Sequence, residues 1–221
     1  MSFDTSILSM LAQGFGETVF MVLVSSLISY LIGIPLGLAL VVTDRDGICP
    51  KPAVYAVLGA WINLLRSVPF IILLIAVLPL TRLVVGTTLG PRAVVVPLVI
   101  SAAPYVARMV ESSLKEVNTG VIEAAKSMGA SNLQIVCKVL LPEARPALLI
   151  GAAISVTTIL GYSTMAGFVG GGGLGTIAIN YGYYRYRTEI MLVTVVILVL
   201  IVQGIQECFL RSARRSDHRA K

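Results

Sequence analysis

Long apolar runs are the feature that most constrains how this chain of 221 residues can fold. A helix needs about 20 consecutive apolar residues to cross a bilayer, because it rises 1.5 Å per residue. Runs of that length recur along the chain, in which 57% of the residues are hydrophobic and 13% are charged. A soluble fold of this size could not bury so much apolar surface. The sequence therefore predicts an all-α integral membrane protein.

Five transmembrane helices are expected. Their approximate bounds are residues 18–42, 54–80, 93–112, 146–165 and 190–209. The second run is the least regular, because Arg66, Ser67 and Pro69 interrupt it, and its first half could instead lie along the membrane interface. A charge such as Arg66 is costly inside a membrane, so we expect it to reach the interface or to have a partner. No repeat and no linker divides the chain, which predicts one domain over residues 1–221.

Lysine and arginine residues lie mostly on one side of these spans. With the N-terminus outside, twelve fall in inner segments, namely Arg45, Lys51, Arg108, Lys115, Lys126, Lys138, Arg145, Arg211, Arg214, Arg215, Arg219 and Lys221. Four fall in outer segments, namely Arg82, Arg92, Arg185 and Arg187. Short inner loops carry such an excess, so the count predicts an outside N-terminus and a cytoplasmic C-terminus. Membrane orientation thus accounts for the net charge of +6, and no nucleic-acid partner is indicated.

Motifs for catalysis and nucleotide binding are weak. The sequence has no G-x-x-x-x-G-K-[ST] motif for binding phosphates. Gly170, Gly172 and Gly175 have G-x-G-x-x-G spacing, but they follow an apolar run rather than a strand. A re-entrant or gate-proximal segment, or a plain connecting loop, is expected there. His218 lies in the basic tail, and no carboxylate pair, metal-ligand spacing or nucleophile–base set lies in the spans, so we expect no catalytic residue, no metal and no cofactor on this chain.

Carboxylates are absent from the middle of the expected spans. Glu17, Glu111 and Glu189 lie at their edges, whereas proton- or sodium-coupled carriers usually place an ionisable residue inside the membrane. The interior instead offers serine and threonine, which mediate helix packing more often than they bind solute. A self-contained secondary carrier is therefore the less favoured alternative.

An amphipathic segment, residues 116–142, joins the third and fourth spans on the expected cytoplasmic side. A first helix can begin at Asn118 or Thr119, with Ala125 and Met128 on one face. Gly129 is suited to end that helix, since helices commonly end with a glycine in the left-handed conformation. The pattern predicts a helix that stops at a glycine elbow.

A second helix is expected to follow the elbow. Ser131 and Gln134 have the S-x-x-Q spacing of a capping box, and Leu133, Val136 and Leu140 form an apolar stripe. Such a helix pair could lie on lipid headgroups or dock into the groove of a partner protein. The physical pattern alone leaves both possibilities open.

The same segment contains the pattern E-A-A, three residues, G, nine residues, an aliphatic residue and then x-L-P. The matching residues are Glu123, Ala124, Ala125, Gly129, Val139, Leu141 and Pro142. This segment resembles the signature loop of permease subunits of binding-protein-dependent ABC importers, although Val139 and Cys137 stand where isoleucine and a basic residue are usual. Residues 66–74, 79–90, 102–111 and 161–175 also resemble the methionine-importing members of that family.

The resemblance implies a type I ABC importer permease in a bacterial inner membrane. Such a permease works as a homodimer with two cytoplasmic ATPase subunits and an extracytoplasmic substrate-binding protein, and ATP and Mg are bound by the ATPase. The loop at 116–142 would be the coupling helix pair, with Met128, Leu133 and Val136 among its contacts with the ATPase. Another small amino acid or related solute is the alternative to methionine. Ser163, Met165 and Gly167 are expected at the narrow part of the translocation path.

Overall fold

A computed structural model describes residues 5–216, and within that range the chain is helical and contains no strand. The α-helices are α1 (Thr5–Thr43), α2 (Pro52–Arg66), α3 (Phe70–Ala76), α4 (Leu78–Val85), α5 (Pro91–Lys115), α6 (Thr119–Ser127), α7 (Asn132–Ile135), α8 (Leu141–Glu143), α9 (Arg145–Met165), α10 (Gly173–Ile177) and α11 (Thr188–Ser216). Widened π-turns occupy Val136–Leu140 and Ala178–Tyr183, and a tighter 3₁₀ turn occupies Ala166–Val169. The tail residues His218, Arg219 and Lys221 lie outside the described residues, as do residues 1–4.

The all-α membrane fold is confirmed. The helices α1, α5 and α11 and the run Arg145–Val169 are each long and apolar enough to cross a membrane. A fifth span is formed if α2 and α3 are counted as one broken crossing, and these two helices meet at an angle of 95°. The break falls before Pro69, because proline lacks an N–H and disfavours a helical conformation in the residue that precedes it. The expected second span, residues 54–80, is therefore divided among three helices.

The described chain forms two compact units, and each of the four long helices contributes residues to both. The first unit comprises residues 5–29, 68–102 and 156–205. Its core includes Met21, Phe70, Leu98 and Ile159. The ring of Tyr162 packs against this core and stacks on the ring of Phe70, with centroids 4.6 Å apart and planes 6° from parallel. Lipid competes for apolar contact, so close packing rather than removal of water holds such helices together.

The second unit comprises residues 30–67, 103–155 and 206–216. A G-x-x-x-G pair on α1, Gly33 and Gly37, faces Val106 and Ala107 of α5. A Cβ atom at Gly33 would lie 2.6 Å from Val106 Cγ1, and one at Gly37 would lie 2.6 Å from the carbonyl oxygen of Ala107. Small residues at this spacing let helix backbones approach closely in a membrane. This contact fixes α5, from whose end the loop at 116–142 continues.

Candidate functional site

The two short helices of the loop at 116–142 both begin at side-chain caps. The Asn118 side chain accepts a hydrogen bond from the N–H of Gly120 at 2.8 Å. Ser131 Oγ accepts from the N–H of Gln134 at 3.3 Å, and Gln134 Oε1 accepts from the N–H of Ser131 at 2.9 Å. The predicted capping box is therefore present. Caps of this kind satisfy N–H groups that the first helical turn leaves unpaired.

The glycine elbow between the two helices has the predicted geometry. Gly129 has φ of +79°, in the left-handed region. Its N–H donates to the carbonyl oxygen of Lys126 at 2.9 Å, and the N–H of Ala130 donates to that of Ala125 at 3.1 Å. These two bonds form a Schellman motif, the common way in which a glycine ends a helix. The elbow is thus fixed by backbone hydrogen bonds rather than by flexible linkage.

Past the elbow, the second helix widens before it reaches α9. Pro142 has no N–H, and its ring would press on the carbonyl group of Lys138 in a regular α-helix. The chain avoids this conflict through the π-turn at Val136–Leu140, where the N–H of Leu141 donates to the carbonyl oxygen of Val136, five residues back. Such single π-turns are often found at functional sites. The turn lets the segment continue into the helix that follows.

The predicted loop residues divide by exposure. Glu123, Ala124, Met128, Gly129, Leu133 and Pro142 are exposed, Ala125 and Val136 are buried, and Val139 and Leu141 are half-buried. The apolar stripe expected along the second helix is consequently split. Val136 and Leu140 are 7% and 1% exposed, whereas Leu133 is 74% exposed and Met128 is 82% exposed. The surface that remains for a partner is the pair Met128 and Leu133, which flank the elbow.

The residues predicted for the translocation path belong to the first compact unit. Ser163 is buried, and its hydroxyl donates to the carbonyl oxygen of Leu160 at 2.7 Å. Met165 is 46% exposed. Gly167 is buried against backbone, since a Cβ there would lie 2.6 Å from the carbonyl carbon of Gly175. Of the three, Met165 is the residue whose side chain is exposed.

A cluster of charges in the second unit was not predicted from the sequence. Glu111 is 5% exposed, and its carboxylate accepts from Arg108 at 2.6 Å, from Lys115 at 3.0 Å and from the hydroxyl of Tyr55 at 3.1 Å. Lys115 also contacts Asp44 at 2.7 Å, and the hydrogen bond from Lys115 holds the pKa of Asp44 below its usual range. The i, i+3 and i+4 spacing of the first two pairs on one helix was the signal available in the sequence.

Two arginines tie α2 to α5. The guanidinium group of Arg108 donates to the carbonyl oxygen of Gly59 at 3.1 Å and to Asn63 Oδ1 at 3.0 Å. At the end of α2, Arg66 is exposed and its guanidinium carbon lies 5.9 Å from the ring centroid of Tyr105. A cation over an aromatic face is attracted by the ring quadrupole. Arg66 therefore has the partner that a charge near the membrane requires.

Known proteins that match this chain agree on one family. Residues 33–215 match the family described as binding-protein-dependent transport system inner membrane component. The probable D-methionine transport system permease protein of Vibrio cholerae is 50% identical over 203 residues, which are 92% of this chain and 90% of the relative. The D-methionine transport system permease protein of Escherichia coli K12 is 48% identical over 158 residues, which are 72% and 73% of the two chains.

Solved structures match over nearly the whole chain. A chain of the MetNI methionine ABC transporter in an inward-facing conformation superposes with a TM-score of 0.95 at 44% identity, covering 99% of this chain and 100% of that one. An amino acid ABC transporter crystallised with histidines shares the fold, with a TM-score of 0.78 at 19% identity over 97% of this chain and all of that one.

Proposed function

Because the chain belongs to the family of inner membrane components of binding-protein-dependent transport systems, we propose that it is the permease subunit of an ATP-driven methionine importer. The support for methionine is the similarity to relatives named for D-methionine transport, which extends over 92% of this chain. The chain would line the translocation path, with Met165 at its narrow part. ATP would be hydrolysed by a separate ATPase chain, which also holds ATP and Mg. Another small amino acid is the alternative solute.

The proposed assembly contains two copies of this chain, two ATPase subunits and an extracytoplasmic binding protein. Its support is the similarity to a chain of the MetNI transporter and the small number of spans. Five helices can hardly enclose a polar path without exposing it to lipid, whereas ten helices in a homodimer can. The excess of Lys and Arg in the inner segments supports an outside N-terminus, which would place the loop at 116–142 in the cytoplasm beside the ATPase.

The observation that carries the role of the loop is the exposed pair Met128 and Leu133. Both side chains project from the second unit into solvent, next to a rigid elbow. Full burial of each would contribute a favourable free energy of about 1.5–3 kcal/mol. A groove on an ATPase subunit would supply that burial. The caps at Asn118 and Ser131 fix the two helices that present these side chains, so movement of the ATPase would be passed to the permease rather than absorbed.

Transport is tested by reconstituting the chain in proteoliposomes with a candidate ATPase and binding protein. We expect ATP-driven uptake of methionine that is lost when the ATPase is omitted. Methionine should also stimulate ATP hydrolysis more than other amino acids do. Uptake that persists without the ATPase and nucleotide would favour a secondary carrier. If a different amino acid stimulated ATP hydrolysis more strongly, the permease role would stand and that amino acid would be the solute.

Docking is tested by the double variant Met128→Ser with Leu133→Ser. Losing the burial of two apolar side chains should weaken ATPase binding by about 10-fold to 100-fold, allowing for incomplete burial of each. Leu83→Ser is the control, because Leu83 is 84% exposed but lies on α4, in an expected outer segment. If the double variant bound the ATPase as tightly as the control variant, the docking role would be refuted and the lipid-surface alternative favoured.

A further inference from the structure

The glycine-rich segment at 170–174 directly follows the fourth membrane crossing, which ends at Val169. It leads from the 3₁₀ turn at Ala166–Val169 into the start of α10, so it is flanked by helices rather than by the strand that a dinucleotide-binding loop requires. Gly170, Gly172 and Gly173 have φ of +75°, +81° and +75°, which residues with a Cβ rarely adopt. Gly173 and Leu174 are buried, and buried backbone N–H groups need partners that the protein itself must supply.

Part of this backbone is satisfied close by. The N–H of Gly170 donates to the carbonyl oxygen of Gly167 at 3.3 Å, and the N–H of Gly171 donates to that of Ala166 at 3.0 Å. The carbonyl oxygen of Gly170 accepts from the N–H of Gly90 at 3.0 Å. These bonds account for the end of the preceding helix but not for the first N–H groups of α10.

Two side chains of α1 satisfy those N–H groups. Glu17 Oε2 accepts from the N–H of Gly173 at 2.7 Å, and Thr18 Oγ1 accepts from the N–H of Leu174 at 2.9 Å. These are the bonds that a helix N-cap normally makes, but Gly172, at the N-cap position, has no side chain to make them. The caps therefore come from residues 156 positions away in the sequence.

The surroundings of the two caps are built for this contact. Thr18 is 1% exposed and donates its own proton to the carbonyl oxygen of Gly14 at 2.9 Å, which leaves an oxygen lone pair directed at Leu174. The other oxygen of Glu17 accepts from Gln13 Nε2 at 2.9 Å. Both the acid and the hydroxyl are thus oriented by residues of their own helix.

The two capping contacts also require glycine at positions 172 and 173. A Cβ at Gly172 would lie 2.8 Å from Glu17 Oε2, and a Cβ at Gly173 would lie 2.7 Å from Thr18 Oγ1. A side chain at either position would displace the capping oxygen. The glycines and the two α1 side chains therefore form one structural feature.

We propose that Glu17 and Thr18 are positioning residues that hold the start of α10 in place directly after the fourth crossing, and that transport depends on this cross-helix cap. The part that concerns transport rests on the proposed function, whereas the part that concerns the contact does not. Without the caps, the segment at 170–177 opens more often, because the first N–H groups of α10 lose their acceptors. Solute uptake per ATP hydrolysed then falls, because the segment at 170–177 no longer holds a single conformation.

Hydrogen–deuterium exchange of the full chain in lipid nanodiscs tests the contact directly. In Glu17→Ala and Thr18→Val, we expect amides in the peptide over residues 170–177 to exchange roughly tenfold faster or more, the size of effect typical for loss of a buried hydrogen bond. Glu17→Gln and Thr18→Ser keep an acceptor oxygen and should restore most of the protection. Thr194→Val is the matched control, because buried Thr194 donates only to the carbonyl oxygen of Ile190 in its own helix.

Exchange at 170–177 that is the same in wild type, Glu17→Ala and Thr18→Val would overturn the proposal. So would an equal increase in Thr194→Val, since the effect would then be general loosening of the unit. If Glu17→Ala does not insert, Thr18→Val and its serine rescue decide the outcome with the same readout.

The transport part is measured as methionine uptake per ATP hydrolysed in the reconstituted complex. The alanine and valine variants should lower this ratio severalfold, and the glutamine and serine variants should recover it. Faster exchange with an unchanged ratio would overturn the dependence of transport on the cap. Failure of wild-type uptake would contradict the proposed function and leave the exchange result standing.

Discussion

Replacing Glu111 with glutamine perturbs the charge cluster that joins α1, α2 and α5 in the second unit. The carboxylate is nearly buried, and it accepts ionic hydrogen bonds from Arg108 at 2.6 Å and Lys115 at 3.0 Å. Glutamine keeps the shape and one acceptor oxygen but removes the charge, and its amide N–H₂ group would face a cation. The change therefore tests the ionic part of the cluster without opening a cavity.

The expected cost follows from what each cation keeps. A hydrogen bond to a charged group contributes about 1.5–3 kcal/mol. Lys115 is 43% exposed and retains Asp44, so its end of the cluster loses little. Arg108 is 20% exposed and keeps neutral acceptors such as Gly59 and Asn63. We therefore expect the free energy of unfolding to fall by about 2 kcal/mol, mostly from the pair formed with Arg108.

Denaturant unfolding of the purified chain in mild detergent measures this change, combined with Arg108→Met in a double-mutant cycle. A coupling energy of about 2 kcal/mol is expected, because the two residues are in direct contact. Glu207→Gln is the control, since Glu207 and Arg211 form an i, i+4 pair that is 56% and 70% exposed, and it should leave the free energy of unfolding nearly unchanged. Additive effects of Glu111→Gln and Arg108→Met would refute the reasoning.

Three further outcomes are expected. Gly129→Ala should lower the free energy of unfolding by about 1–2 kcal/mol, because φ is +79° although no atom lies within 4 Å of the added Cβ, and Gly129→Asn should lower it less. Gly129→Asp should keep membrane insertion and abolish ATP-driven uptake, so normal uptake by this variant would contradict docking at the elbow. Gly175→Ala should destabilise by at least about 2 kcal/mol in thermal unfolding, because its Cβ would lie 2.6 Å from Thr164 Cα. Asp44→Asn should lower the melting temperature above about pH 4, because the ionised Asp44 stabilises the wild type there and this stability is lost as the pH falls through the lowered pKa of Asp44. The melting temperatures of wild type and variant should therefore converge in acid, and a constant difference from about pH 7 to pH 3 would contradict the contact with Lys115.

Sequence patterns predicted the features that depend on neighbouring residues. The elbow at Gly129 and the capping box at Ser131 are local, so their spacing alone was sufficient. The exposure of the apolar stripe was not predictable in this way, because Leu140 is buried in a core cluster with Val106 and Val110, which are distant in sequence. A helical repeat identifies an apolar face but cannot say which of its members the rest of the fold covers.

The Glu111 cluster illustrates a second limit. Helix spacing connects Glu111 with Arg108 and Lys115. The contact of Lys115 with Asp44 and that of Glu111 with Tyr55 instead join residues 71 and 56 positions apart in the sequence. The sequence placed Glu111 at the edge of an expected span and gave no sign of these distant partners, whereas the fold surrounds it with cations and a hydroxyl group. Its burial is possible because these partners replace the water that it loses.

The distance in sequence between each cap and the helix that it caps explains why one set was predictable and the other was not. In the loop at 116–142, Asn118 and Ser131 cap their own helices, and surrounding water can satisfy the remaining backbone groups. At the start of α10, Gly173 and Leu174 are buried, and the local residues are glycines because side chains would not fit. The caps must then come from another helix, and Glu17 and Thr18 supply them. Because Gly172 has no side chain with which to cap α10, no local pattern at 170–174 could have identified Glu17 and Thr18 as the caps.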